Sequence, residues 1–222
     1  MIAPTSGEKE RRIVERLMDW HSKNARKFPW RETRDPFKIL IAEILLQRTR
    51  AEQVEPIYRK FVEKYPSPSA LRGAPLDEVE ALIRPLGLAK RGKMLKELAE
   101  QLVVRYGGRV PSGEADLMRL KGVGYYAANA VRCLAFGEDV AVVDWNVARF
   151  ARRVWGYGAK RAPHTDRNLM AFMTSLVPKG RGREFNLALL DFTALVCKPR
   201  DPDCAVCPIR ELCGEGAAGG QV

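Results

Sequence analysis

Apolar residues three and four apart open the chain: Ile13, Leu17 and Trp20 form one stripe, and Ser6 is placed to cap the helix that carries it. Residues 24–36, NARKFPWRETRDP, break the pattern with charge and proline and read as a loop. The next segment, FKILIAEILLQRT, predicts a strongly apolar helix with Glu43 set among Ile41, Ile44, Leu45 and Leu46. Burying a carboxylate without a partner is expensive, so Glu43 either turns outward or is held there for a purpose. Helical spacing returns at 52–65, at 76–84, in a long segment ending near Tyr106, and at 125–136. It continues from Val147 through Phe150, Ala151 and Val154 to Trp155, and again at about 165–177 and 183–197. The proline-rich stretch 65–75 is a connector, and the glycine-rich end 214–222 is expected to be disordered. The whole pattern predicts an all-α chain.

Two places between these helices carry candidate chemistry. Gly122 and Gly124 flank Val123 between two helix-forming segments, where the backbone can turn sharply and present NH groups with no side chain in the way. The start of the following helix adds a partial positive charge, which together makes a seat for a phosphate. Glycines also end helices for reasons unrelated to ligands, so the motif alone leaves both readings open. Asp144 stands just before the next helix. Aspartate there is a common cap, worth about 1 kcal/mol, and the cap would also hold its carboxylate in place.

Charge narrows the partner. The chain has 38 Lys and Arg against 27 Asp and Glu, a net charge of +11 and a pI near 9.6. The excess is clustered: Arg48 and Arg50; Lys90, Arg91, Lys93 and Lys96; Arg149, Arg152 and Arg153; Lys179, Arg181 and Arg183. One such cluster is often only a solvated face, but several together favour a polyanion, because each phosphate neutralised releases counterions. His21 and His164 are the two histidines, which leaves little for a histidine-based triad or a multi-histidine metal site. Length and 46% hydrophobic content allow one good-sized core, or two small ones sharing a cleft. No apolar run approaches the roughly eighteen residues that span a bilayer, and no signal-peptide pattern opens the chain. A soluble, intracellular protein is expected, with no membrane partner.

Cys197, Cys204, Cys207 and Cys213 are spaced C-x6-C-x2-C-x5-C, with Pro199, Pro202 and Pro208 stiffening the loop. Four cysteines in one short loop are a metal site more often than two disulfides in an intracellular protein, and zinc fits them as well as an iron-sulfur cube does. Cys133, beside Val131 and Leu134, reads as a core residue.

The pattern L-x-G-V-G-x-x-x-A-x-A-V, followed by V-D-x-N-V-x-R, resembles the helix-hairpin-helix DNA glycosylases of the endonuclease III superfamily. The similarity extends over nearly the whole chain, through FPWRETRDP, ILIAEILL, GGRVP, VVDWN and FNLALLDFTALVC, and lies nearest the thymine mismatch branch. Lys121 departs from it, standing where the family usually has proline.

The resemblance implies a two-lobed helix-hairpin-helix glycosylase fold around a groove. One lobe would be 28–139; the other would join 1–27 to 141–213, leaving 214–222 as a tail. The cysteine spacing matches the family's loop in every interval, so Cys197, Cys204, Cys207 and Cys213 are implied ligands of a [4Fe-4S] cluster. By the same resemblance Asp144 is catalytic, and Glu43 stands where adenine glycosylases carry a catalytic glutamate. Gln47 and Arg48 would fill the gap left by an extruded base, Leu88 would lie in the turn beside the lesion, and Lys121, Gly122, Val123 and Gly124 would grip the DNA backbone.

Tyr126 separates the possible reactions. Endonuclease III-type enzymes have lysine there, whose amine forms a Schiff base with the sugar and leads to strand cleavage. Tyrosine cannot form that imine, and the thymine mismatch branch shares it. The expectation is a monomeric, monofunctional glycosylase in base excision repair, which removes thymine or uracil mispaired with guanine from double-stranded DNA. An adenine glycosylase and a non-catalytic iron-sulfur DNA-binding protein are the alternatives.

Overall fold

The protein is described here from a computed structural model, in which residues 7–87, 91–157, 162–163 and 166–218 are placed. Among these the regular structure is helical: α1 (Glu8–Asn24), α2 (Pro36–Leu46), α3 (Ala51–Lys64), α4 (Pro68–Gly73), α5 (Leu76–Ile83), α6 (Arg91–Tyr106), α7 (Glu114–Met118), α8 (Tyr125–Leu134), α9 (Trp145–Trp155), α10 (Arg167–Ser175), α11 (Gly182–Leu195) and α12 (Gly214–Ala218). The all-α reading therefore stands for the described residues. Ser6 lies outside them, and the residue flanking the start of α1 is Gly7, with no side-chain cap. Among the described residues no helix is long and apolar enough to cross a membrane. The contacts divide the chain into two compact units, Lys27–Phe136 and Met1–Arg26 with Gly137–Val222.

The unit Lys27–Phe136 is built around α2. Asp35 starts this helix by accepting from the amides of Phe37 and Lys38 at 2.9 and 3.2 Å, and Pro36 suits the first turn. Phe37 and every residue from Ile39 to Leu45 are buried, which a helix apolar on all faces requires. α3 and α8 pack against it. The loop before α2 is closed by stacked rings: Phe28 on Trp30 at 4.8 Å, and Trp30 edge-on to Tyr58 at 5.3 Å. Lys96 of α6 closes the end of α4 by donating to the carbonyls of Leu71, Arg72 and Ala74.

In the other unit, edge-on aromatic contacts run from α1 through α11 and α9 to α10. Trp20 meets Phe192 at 5.3 Å, Phe192 meets Phe150 at 5.8 Å, Phe150 meets Trp155 at 5.6 Å, and Trp155 meets Phe172 at 5.1 Å. Each such pair adds about 0.5–1.5 kcal/mol beyond the area it buries. Asp191 of α11 is fully buried and accepts from the Arg26 backbone amide at 3.0 Å and its Nε at 2.6 Å, with His21 Nε2 at 3.3 Å. That cluster fastens the chain just past α1 to α11.

The glycine-rich end departs from expectation. Residues Gly214–Ala218 form α12 against α9, where Glu215 pairs with Arg152 at 3.2 Å and with Arg153 at 3.3 Å. Glycine content suggested disorder, but two arginines one position apart on α9 supply a partner that composition does not reveal. The remainder of that segment, 219–222, lies outside the described residues.

Candidate functional site

The glycine hairpin joins α7 to α8. Gly122 has φ +79°, a conformation costly to any residue with a Cβ, and a Cβ there would sit 2.5 Å from Met94 Sδ. Gly124 is different: at φ −95° and ψ 179° it is extended, exposed and open to a Cβ, so the turn does not require glycine there. It precedes α8 and, having no side chain, does not itself cap the first amides of that helix. Val123 is buried beneath the turn, and its amide donates to Leu120 O at 3.2 Å. The Lys121 amide donates to Gln101 Oε1 at 2.7 Å, and its ammonium lies 3.3 Å from Glu97 Oε2. An exposed pair of that kind contributes about 0–1 kcal/mol and yields readily to a phosphate. Gly122→Ala is expected to cost about 1–3 kcal/mol through the backbone conformation alone. Thermal unfolding measures this, and adding Met94→Ala should recover only the part due to the clash.

The turn after α2 is held from three sides. Gln47 leaves the helix with ψ +113°, and Arg48 follows at φ +60°. Arg91 of α6 donates to Ile44 O at 2.8 Å and to Gln47 O at 2.6 Å, and Gln47 Nε2 donates to Gly122 O at 3.0 Å. Burial, then the neighbouring Arg48 charge, lowers the Arg91 pKa. Gln47 thus bridges to the hairpin, while Arg48 is exposed. Glu43, one helical turn before Gln47, is only 5% exposed. Tyr126, the second residue of α8, is half-buried. Leu88 lies outside the described residues.

Asp144 belongs to the other unit. The segment leading to it is fixed by the fully buried Asn186, whose Oδ1 accepts from Val142 N at 2.7 Å and whose Nδ2 donates to Val140 O at 2.9 Å. Asp144 then caps α9: Oδ1 accepts from Val147 N at 2.8 Å and Oδ2 from Asn146 Nδ2 at 2.9 Å. Asn146 Oδ1 accepts from Arg149 Nη1 at 2.8 Å, and Arg149 Nη2 reaches Thr193 O at 3.1 Å and Cys197 O at 2.8 Å. Burial is the main influence lowering the Arg149 pKa. The carboxylate is oriented at both oxygens, and the residue as a whole is only partly buried. Capping and a chemical role are therefore compatible in one geometry.

Several basic residues expected at a polyanion surface are occupied within the fold. Arg91 and Lys96 satisfy helix-end carbonyls, Arg149 and Arg153 donate to carbonyls of the cysteine loop, and Arg181 pairs with Glu184 at 2.5 Å. Arg91, Asn186, Asn146 and Arg149 are positioning residues; the sequence placed Arg91 and Arg149 only in basic clusters and did not single out Asn186 or Asn146. Asn146 does lie within the V-D-x-N spacing, but nothing local marks Asn186 or shows that Arg91 turns inward to carbonyls.

Cys197, Cys204, Cys207 and Cys213 line one cavity of about 170 Å³ together with Phe150, Phe192 and Ile209. Arg153 Nη1 lies 3.4 Å from Cys197 Sγ. Burial pushes the Cys207 thiol up to about 11, and the charges of Cys213, Cys197 and Cys204 add to the shift. Among the described residues no group of three or more His, Cys, Asp or Glu side chains forms a single-ion site. Four sulfurs around an apolar-walled cavity do fit a larger, multi-atom group held by thiolates. Cys133, by contrast, is fully buried in the core as expected.

Residues 41–179 match the family described as HhH-GPD superfamily base excision DNA repair protein. The chain is 41% identical over 209 residues to the thymine/uracil-DNA glycosylase of Methanothermobacter thermautotrophicus, covering 94% of this chain and 95% of that one. It is 42% identical over 203 residues to the thymine-DNA glycosylase of Aeropyrum pernix, covering 89% and 91%. A solved structure of a thermostable thymine-DNA glycosylase matches with a TM-score of 0.91 and 40% identity, covering 95% of this chain and 98% of that one.

Proposed function

The chain belongs to the HhH-GPD superfamily of base excision DNA repair proteins, and from that premise we propose that it is a monofunctional DNA glycosylase removing thymine or uracil mispaired with guanine. The observation that carries the reading is Asp144: a partly buried residue whose two carboxylate oxygens are each held by one hydrogen bond. As the glycosidic bond breaks, the base departs with the bonding electrons and positive charge grows on the deoxyribose. A fixed anion stabilises that charge and accepts a proton from the attacking water as its oxygen bonds to the sugar carbon. The target nucleotide must first leave the duplex.

The remaining roles follow the same reading. The start of α8 and the Lys121–Gly124 hairpin hold a phosphate, and exposed Arg48 enters the space vacated by the base. Gln47 keeps the turn against the hairpin through Gly122 O. Glu43 and Tyr126 shape the base pocket; tyrosine supplies no amine, so the product is an intact strand with an abasic site. Cys197, Cys204, Cys207 and Cys213 would hold a [4Fe-4S] cluster, whose bonds to the four thiolates would crosslink the C-terminal loop. The protein acts as a monomer on double-stranded DNA.

A base-excision panel tests this reading. Duplexes carrying T or U opposite G should lose the base, and borohydride should trap no protein-DNA adduct. Excision of A alone, opposite G or oxidised G, would replace the substrate; an efficient trapped adduct would overturn the monofunctional assignment.

A further inference from the structure

Trp145 immediately follows Asp144 and is 66% exposed. Of the chain's four tryptophans, the other three are engaged within the fold: Trp20 against Phe192, Trp30 on Phe28, and Trp155 against Phe150 and Phe172 with its Nε1 donating to Glu10 at 3.1 Å. Trp145 has no ring partner among the described residues. Scattered exposed apolar side chains are ordinary, and Val104 and Val206 are as open. Position sets Trp145 apart: it is the first residue of an eleven-residue helix whose first turn contains no acid. An indole plane therefore stands at the start of α9, next to the oriented carboxylate that caps it.

We infer that Trp145 is a DNA-contacting residue, packing its indole face on the unstacked nucleotide that flanks the extruded one. This rests on the reading that Asp144 acts at a nucleotide sugar, because the two residues are adjacent in the chain. The chemistry suits that occupant in two ways. Every nucleobase offers a π-face to an aromatic ring. The overall charge of +11 draws the same polyanion.

The test uses the full protein and two duplexes, one fully paired and one carrying a tetrahydrofuran abasic analogue opposite guanine. The emission difference between native protein and Trp145→Phe reports position 145. It should be quenched as the abasic-analogue duplex saturates the protein. Trp145→Ala should weaken binding to that duplex about tenfold, a typical loss for one base-aromatic stack. Trp145→Phe should restore most of it, and the loss should persist between about 50 and 200 mM salt because no phosphate charge is removed. Unchanged emission with unchanged affinity would overturn the inference. So would an emission that shifts with protein concentration in the absence of DNA, which would place the indole against a second copy of the chain. Failure of the Asp144 reading is separate: Asp144→Asn with native excision would end that reading while leaving the fluorescence result intact.

Discussion

Asp144→Asn is expected to lower the rate of base release by about 10²–10⁴-fold, the range for losing a positioned general base. The substitution is close to isosteric, and its Oδ1 can still accept from Val147 N, so the cap on α9 survives. The second site is where it hurts. Asn146 donates to Oδ2, and an amide nitrogen placed there would set two donors against each other. Asn146 is itself held through its Oδ1 by Arg149, which limits its freedom to turn over. Single-turnover excision on a G·U duplex should show the loss, while affinity for an abasic-analogue duplex stays within about threefold of native, a difference under 1 kcal/mol. Undiminished excision would remove Asp144 from the reaction.

The largest stability effect is expected at Asp191 and Arg26. Asp191 is fully buried, and the Arg26 guanidinium lies 2.6 Å away with its own side chain 25% exposed. Arg26→Met removes the guanidinium from the carboxylate while the Arg26 backbone amide and nearby His21 stay in place. Breaking a buried pair in this way costs about 3–5 kcal/mol; the retained contacts point to about 3. For a chain of this size that lowers Tm by about 6–12 °C. Replacing both partners, with Arg26→Met and Asp191→Leu, should recover much of the loss, because an apolar pair carries no desolvation penalty. Thermal unfolding of the single and double variants separates the charge effect from simple loss of packing. A single variant with native Tm would show that the pair contributes nothing.

Local pattern made much of the molecule legible. The spacing of Ile13 and Leu17, the apolar run around Glu43 and the periodicity after Asp144 each became a helix with the expected face buried, because helices are closed by short-range hydrogen bonds and one apolar stripe. Gly122 and Asp144 were readable as a turn and a cap for the same reason: both depend on a few consecutive residues. Charge was read less well. Arg91, Lys96, Arg149 and Arg153 looked like surface cations, yet they donate to carbonyls 22 to 48 positions distant in the chain. α12 escaped for a related reason, since its partners are arginines on α9 rather than its own neighbours.

The amino-acid sequence by itself thus determined the helices, the hairpin, the carboxylate before α9 and the four-cysteine loop, all set by spacing within short windows. Only the tertiary structure decided which charges remain available to a ligand. It alone brought the four sulfurs to one cavity, made Asn186 and Asn146 the supports of Asp144, and left Trp145 uncovered. Those outcomes depend on which distant groups fill each donor, acceptor and apolar face, and a linear pattern does not specify such pairings.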